Sequence, residues 1–161
     1  MSRIQLALNV DNLEESIAFY SILFGVEPAK TKPGYANFAV AEPPLKLVLV
    51  ENPGEGGSIN HLGVEVADTD RVDAEQARLN AAGFASVDER ATTCCYAKQD
   101  KFWVDNAPNG ERWEIYTVLS DSDTFRSADD GAGETATCCG PASEATRISD
   151  AAREPDVAGC C

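Results

Sequence analysis

The sequence predicts an α+β fold made of two similar modules followed by a disordered tail. Two observations carry this. First, an alternating strand, a capped amphipathic helix and further strand-like runs occur twice within residues 1–125. Second, residues 126–161 hold no Phe, Tyr or Trp, and only Ile148 and Val157 as larger aliphatics. Such a segment cannot bury enough apolar surface to offset its ordering entropy. The expected organisation is a folded unit over 1–125, with modules of about 1–57 and 58–125, and a disordered Cys-containing tail over 126–161.

The first module opens with Ile4 to Val10, an alternating strand. Asp11 then stands as the N-cap of a helix, with Glu14 three residues on, the capping-box spacing. Leu13, Ile17, Tyr20, Leu23 and Phe24 form its apolar stripe, and Gly25 takes the C′ position. Strands are expected over Tyr35 to Val40 and Leu45 to Val50. A Gly/Pro-rich linker runs from Glu51 to Ser58.

The second module repeats the pattern. Asn60 to Val66 is its opening strand, and a helix runs from Asp68 or Thr69 through Ala82, ending at Gly83. Strands are expected near Ala85 to Arg90, Lys101 to Asp105 and Arg112 to Val118. Asn109-Gly110 is a hairpin turn signal between the last two. Each half reads β-α-β-β, with room for a further short strand.

With 161 residues, 43% of them hydrophobic, the chain can build one domain with a real core. No apolar run approaches the roughly 18 residues of a membrane span, and the start, MSRIQLALNV, has no secretory pattern. A cytoplasmic location is expected, where thiols stay reduced. The net charge of −14 disfavours nucleic acid and anionic membranes as partners.

All six cysteines come as adjacent pairs: Cys94-Cys95, Cys138-Cys139 and Cys160-Cys161. Two neighbouring thiolates form a soft clamp suited to thiophilic ions, including trivalent arsenic. They do not form an ordinary disulfide scaffold, because adjacent cysteines bridge only through a strained ring. Thr92, Thr93 and Tyr96 around the first pair suggest a polar loop or strand end rather than core. The other two pairs fall in the tail, as accessory traps or as dispensable residues.

Overlaying the opening strands puts Gln5 on His61. Overlaying Leu45-Lys46-Leu47 on Trp113-Glu114-Ile115 puts Lys46 on Glu114. Packing about a pseudo-two-fold axis would bring these four positions together, three of them with a possible metal ligand. Lys46 cannot ligate while charged. It and Lys98, Lys101 and Tyr96 are read as surface or packing residues, and Phe102 and Trp103 as mostly core.

These residues resemble the vicinal oxygen chelate superfamily over about 1–120, through "VDNLEESIAFYSILFG", "NHLGVEV" and "GERWEIYTV". The resemblance implies paired β-α-β-β-β modules forming a metal-binding, barrel-like cleft. A narrower resemblance, carried by "KPGYANFAVAEPPLKLVLVENPG" and "ATTCCYAKQDKFWV", is to the ArsI-type C–As lyases and the related cadmium-induced CadI proteins. It implies a non-haem Fe(II)-dependent dioxygenase that converts trivalent organoarsenicals, such as methylarsenite, to arsenite.

On that reading Gln5, His61 and Glu114 hold Fe(II), and Cys94 and Cys95 bind the arsenical. The partners are the organoarsenical and O2, and the protein is a monomer or homodimer. One departure stands out. Two histidines and a carboxylate make the familiar iron triad, whereas here Gln5 takes the first place and His61 is the chain's single histidine. Another divalent ion could therefore serve. A cadmium- or arsenite-inducible soft-metal-binding protein without catalysis is the alternative. A glyoxalase-like isomerase or thiol transferase ranks behind both, having no use for "TTCCYA".

Overall fold

A computed structural model describes residues 2–104 and 107–126. The expected tail beyond Arg126, with Cys138, Cys139, Cys160 and Cys161, lies outside the described residues, as does Asp105. The order is β1 (Arg3–Val10), α1 (Leu13–Phe24), β2 (Lys30–Lys32), β3 (Tyr35–Val40), β4 (Leu45–Glu51), then β5 (Ile59–Glu65), α2 (Thr69–Ala81), β6 (Ser86–Cys94), β7 (Ala97–Val104) and β8 (Trp113–Asp121). Each half thus runs β-α-β-β-β.

The eight strands form one sheet in the order β2-β3-β4-β1-β5-β8-β7-β6. The halves join where β1 and β5 pair antiparallel, with Leu6 opposite Leu62. On either side β1 pairs parallel with β4 and β5 parallel with β8. Side chains alternate between the faces of a strand, so each strand serves two environments. One face carries Val10, Phe38, Leu47 and Leu49, packed under Leu13, Ile17, Tyr20 and Phe24 of α1. In the second half Phe102 and Ile115 pack with Val72 and Leu79 of α2. Complete burial of a side chain such as Phe38 contributes about 1.5–3 kcal/mol.

The other face curls inward, and contacts between distant elements hold the curl. Lys30 on β2 donates to the Tyr96 carbonyl at 3.0 Å and pairs with Asp121 at the end of β8. The Tyr96 hydroxyl donates to the Pro33 carbonyl at 3.2 Å. These links bring the β6–β7 turn against β2 and β3, so the sheet is a partly closed barrel with an interior.

Three local features depart from expectation. The N-cap of α1 is Asn12, whose side chain accepts from the Glu15 N–H. Asp11 instead accepts from Gly54 and Gly56 N–H at 2.7 and 3.1 Å, tying down the linker. Leu23 is 58% exposed and lies off the packed stripe. Asn109-Gly110 forms a turn inside the long β7–β8 connection, closed by Gly110 N–H to Ala107 O. The two-residue hairpin is elsewhere: Cys94 pairs with Ala97, leaving Cys95-Tyr96 as the loop.

Candidate active site

Gln5, His61 and Glu114 meet on the inner face, only 2–4% exposed. Gln5 on β1 and Glu114 on β8 both pair with Gly63 of the intervening β5, and their side chains approach one another beside it. Gln5 Nε2 lies 2.9 Å from His61 Nε2 and donates to Glu114 Oε1 at 2.8 Å. His61 Nε2 is 3.4 Å from the same carboxylate oxygen. A Cβ at Gly63 would come within 3.2 Å of Glu114 Cγ and 3.3 Å of Gln5 Nε2, so glycine leaves this cradle its room.

The imidazole is held in one tautomer. Asn60 Nδ2 donates to Asn9 Oδ1 at 2.8 Å, which turns Asn60 Oδ1 toward His61 Nδ1, also at 2.8 Å. The proton therefore sits on Nδ1, and the Nε2 lone pair faces Gln5 and Glu114. The indole of Trp103 meets the imidazole edge-on at 5.6 Å.

Glu114 is oriented from its other side. Lys101 Nζ donates to Glu114 Oε2 at 3.1 Å and lies 3.5 Å from Glu89 Oε2. Burial alone would raise the Glu114 pKa. The Lys101 ammonium opposes it, by its charge and its hydrogen bond, and the carboxyl lies far below its ordinary value.

A second network lies behind Gln5. The Tyr116 hydroxyl contacts Gln5 Oε1 at 2.6 Å, Glu65 Oε2 at 2.9 Å and Lys46 Nζ at 3.0 Å. Arg3 clamps Glu65 at 3.0 and 3.1 Å. Burial raises the Tyr116 pKa, and the Glu65 and Glu114 carboxylates push it further. Burial opposes ionisation of Glu65, but Lys46, Tyr116 and Arg3 hold its carboxyl below the usual range.

The structure brings the sequence-predicted trio together and adds residues that were set aside. Lys101 and Lys46, read as surface or packing residues, are 0% and 8% exposed and serve Glu114 and Tyr116. The overlay of Lys46 on Glu114 is shifted in register. With Leu6 opposite Leu62 on the local two-fold, the pairings Ala7↔Val48 and Gly63↔Glu114 make Val48 the counterpart of Glu114. The first half therefore offers an aliphatic side chain where the second offers a carboxylate. A signal for Lys101 was present: Lys101 and Trp103 share the strand face of Gln99, the face that alternation turns inward.

Cys94 ends β6 and Cys95 begins the hairpin loop. Cys95 and Tyr96 both have left-handed φ, 54° and 60°. Two positive φ values in a two-residue loop suit the right-handed strand twist, but Asn-Gly normally supplies them. Cys95 and Tyr96 there cost backbone strain. Cys95 is a free cysteine, and its sulfur lies 3.3 Å from that of Cys94, too far for a bond between them. Tyr35, Tyr96 and Phe125 form an aromatic wall beside Cys95, with ring centroids 5.4–6.4 Å apart.

The trio fits a divalent cation. An imidazole lone pair and a carboxylate oxygen converge on the Gln5 amide N–H group, the position of a positive partner. Gln5 itself has an oxygen at its other end. One nitrogen and two oxygen donors suit a first-row divalent metal. Among the described residues no three His, Cys, Asp or Glu side chains are gathered as a metal group; a metal at this place would take the Gln5 amide as its third donor.

The family model described as the glyoxalase/bleomycin resistance protein/dioxygenase superfamily matches residues 3–115, and the chain belongs to that superfamily. Within it, the chain is 63% identical to cadmium-induced protein CadI of Mycobacterium tuberculosis, over 86% of this chain and 93% of that protein. It is 54% identical to the trivalent organoarsenical cleaving enzyme of Thermomonospora curvata over the full length of both. The resemblance read from "NHLGVEV" and "TTCCYA" is borne out by these relatives. Among solved structures, homoprotocatechuate 2,3-dioxygenase from Brevibacterium fuscum matches with a TM-score of 0.54 at 18% identity, over 76% of this chain and 38% of that one. At that identity the likeness is one of fold.

Proposed function

We propose that this protein cleaves the carbon–arsenic bond of trivalent organoarsenicals as a non-haem Fe(II)-dependent dioxygenase. The observation that carries the reading is the meeting of Gln5, His61 and Glu114 inside a sheet whose inward-folded hairpin bears Cys94 and Cys95. The full-length likeness to an organoarsenical cleaving enzyme supports the substrate class.

Gln5, His61 and Glu114 would hold the metal, through an amide oxygen, an imidazole nitrogen and a carboxylate oxygen. Fe(II), when bound, supplies the electrons and open coordination positions through which O2 becomes an oxidant. Asn60 keeps the His61 lone pair turned toward the metal position. Lys101 occupies Glu114 Oε2 and leaves Oε1 for the metal. The Cys94 and Cys95 thiolates bind As(III). Tyr35, Tyr96 and Phe125 enclose the organic substituent and keep water from it. Holding arsenical and oxidant in one cleft makes their reaction intracomplex. The stoichiometry closes without a further reductant: one methylarsenous acid and one O2 contain the atoms of one arsenous acid and one formaldehyde.

A soft-metal-binding role without catalysis is the second reading, favoured by the likeness to CadI and by the amide in the ligand set. Reduced protein separates the roles of the two groups. Cys94→Ser and Cys95→Ser each lose organoarsenical binding and keep Fe(II), whereas His61→Ala loses Fe(II) and keeps the arsenical. A serine variant that turns over at the wild-type rate contradicts the clamp.

A further inference from the structure

Gln5 presents its two unlike amide ends to two different surroundings. Nε2 faces His61 Nε2 at 2.9 Å and Glu114 Oε1 at 2.8 Å. Oε1 faces the Tyr116 hydroxyl at 2.6 Å. That hydroxyl also lies 2.9 Å from Glu65 Oε2 and 3.0 Å from Lys46 Nζ.

Proton counting links the two sides. A phenol has one proton to donate, and an ammonium can only donate. The Tyr116 oxygen therefore accepts from Lys46, and its single proton faces two acceptors, Gln5 Oε1 and the Glu65 carboxylate. It serves one of them at a time. With the Gln5 amide turned by half a rotation, the count changes. Gln5 then donates an N–H to the Tyr116 oxygen, the phenol proton goes to Glu65, and each contact behind Gln5 joins a donor to an acceptor. On the other side an amide oxygen faces an imidazole lone pair and a carboxylate. Three acceptors face one another favourably only with a cation among them. The terminal amide torsion of glutamine is broad and roughly two-fold, so the exchange leaves the rest of the side chain in place.

We propose that Tyr116, backed by Glu65 and Lys46, is a positioning residue that receives the turned Gln5 amide and so commits the Gln5 oxygen to the metal. The proposal rests on Gln5, His61 and Glu114 being the metal ligands. It also explains how an amide can occupy a ligand position: the amide has a wrong end, and Tyr116 selects against it.

The test is a double-mutant cycle read as Mn(II) affinity of the folded full chain, by electron paramagnetic resonance of free Mn(II). Mn(II) prefers oxygen and nitrogen donors and so avoids the thiols. Tyr116→Phe weakens Mn(II) binding by about 10- to 100-fold, the usual effect of losing such a supporting partner. In a Gln5→Glu background both ends of the terminal group are oxygen, so the ligand has no wrong end, and Tyr116→Phe then changes affinity by less than about threefold, the difference between the two backgrounds being the coupling of Tyr116 to Gln5. An equal penalty in both backgrounds, or none in either, overturns the positioning role while His61→Ala still abolishes binding. Mn(II) binding that His61→Ala leaves unchanged overturns the metal-site reading itself, and this inference with it.

Discussion

Gln5 and Glu114 are 109 positions apart, yet the Gln5 amide donates to Glu114 Oε1 at 2.8 Å. They meet beside Gly63, which pairs with Gln5 on one side and Glu114 on the other. The contact exists because β5 carries no side chain at that point.

Gly63→Ala should therefore disturb the ligands more than the fold. Its Cβ would press on Glu114 Cγ at 3.2 Å and Gln5 Cβ at 3.3 Å. We expect a loss of about 1–3 kcal/mol in urea unfolding, typical of overpacking, with Mn(II) affinity falling at least tenfold. Unchanged Mn(II) affinity would show that the cradle has slack.

Lys101→Met strands the Glu114 carboxylate. Lys101 is fully buried and sits 3.1 Å from Glu114 and 3.5 Å from Glu89. Breaking one side of a buried pair costs about 3–5 kcal/mol. Saturating divalent metal should restore part of that loss by supplying a new positive partner. Urea unfolding with and without Mn(II) measures both. A loss under about 1 kcal/mol, or no rescue, contradicts the assignment.

Acid should destabilise the metal-free protein through Glu65. Its folded pKa lies below its ordinary value of 4.5, because Lys46, Tyr116 and Arg3 outweigh its burial. A depressed carboxyl stabilises the fold fully above its unfolded pKa, and that stability is lost as pH falls through the folded pKa. Below pH 4.5, wild type should lose up to about 1.4 kcal/mol per pH unit more than Glu65→Gln. Parallel pH profiles for the two proteins would refute the ion-pair account.

Cys95→Asn should trade function for stability. Asn tolerates left-handed φ better than Cys does, and Cys95 sits at φ 54°. We expect a gain of about 1 kcal/mol in urea unfolding as strain is relieved, with organoarsenical binding lost. A less stable variant would show that the Cys95 contacts outweigh the strain.

Much of this was legible in the sequence because it is periodic. Alternation in Ile4–Val10 and Asn60–Val66 marked the two strands that meet, and their overlay paired Gln5 with His61 before any contact was known. Glu114 could be read because an ionisable group inside an apolar strand needs a partner. What escaped depends on register and on curl. The pairing of β1 with β4 makes Val48 the counterpart of Glu114, and a shift of this kind changes no composition. Lys101 and Lys46 looked like surface residues because lysine usually is one; only the closing of the sheet buries them. The Cys95-Tyr96 turn escaped because neither residue belongs to the set that normally adopts its φ values. Asn109-Gly110 has that chemistry but lies within a longer connection.

The central claim is oxygen-dependent carbon–arsenic cleavage at a metal held by Gln5, His61 and Glu114. Reduced protein is loaded anaerobically with Fe(II) and methylarsenite, then exposed to air, and arsenite is measured. The account predicts arsenite release that begins with oxygen and is absent from His61→Ala. Tight retention of methylarsenite with no arsenite formed would contradict it and leave a soft-metal-binding protein.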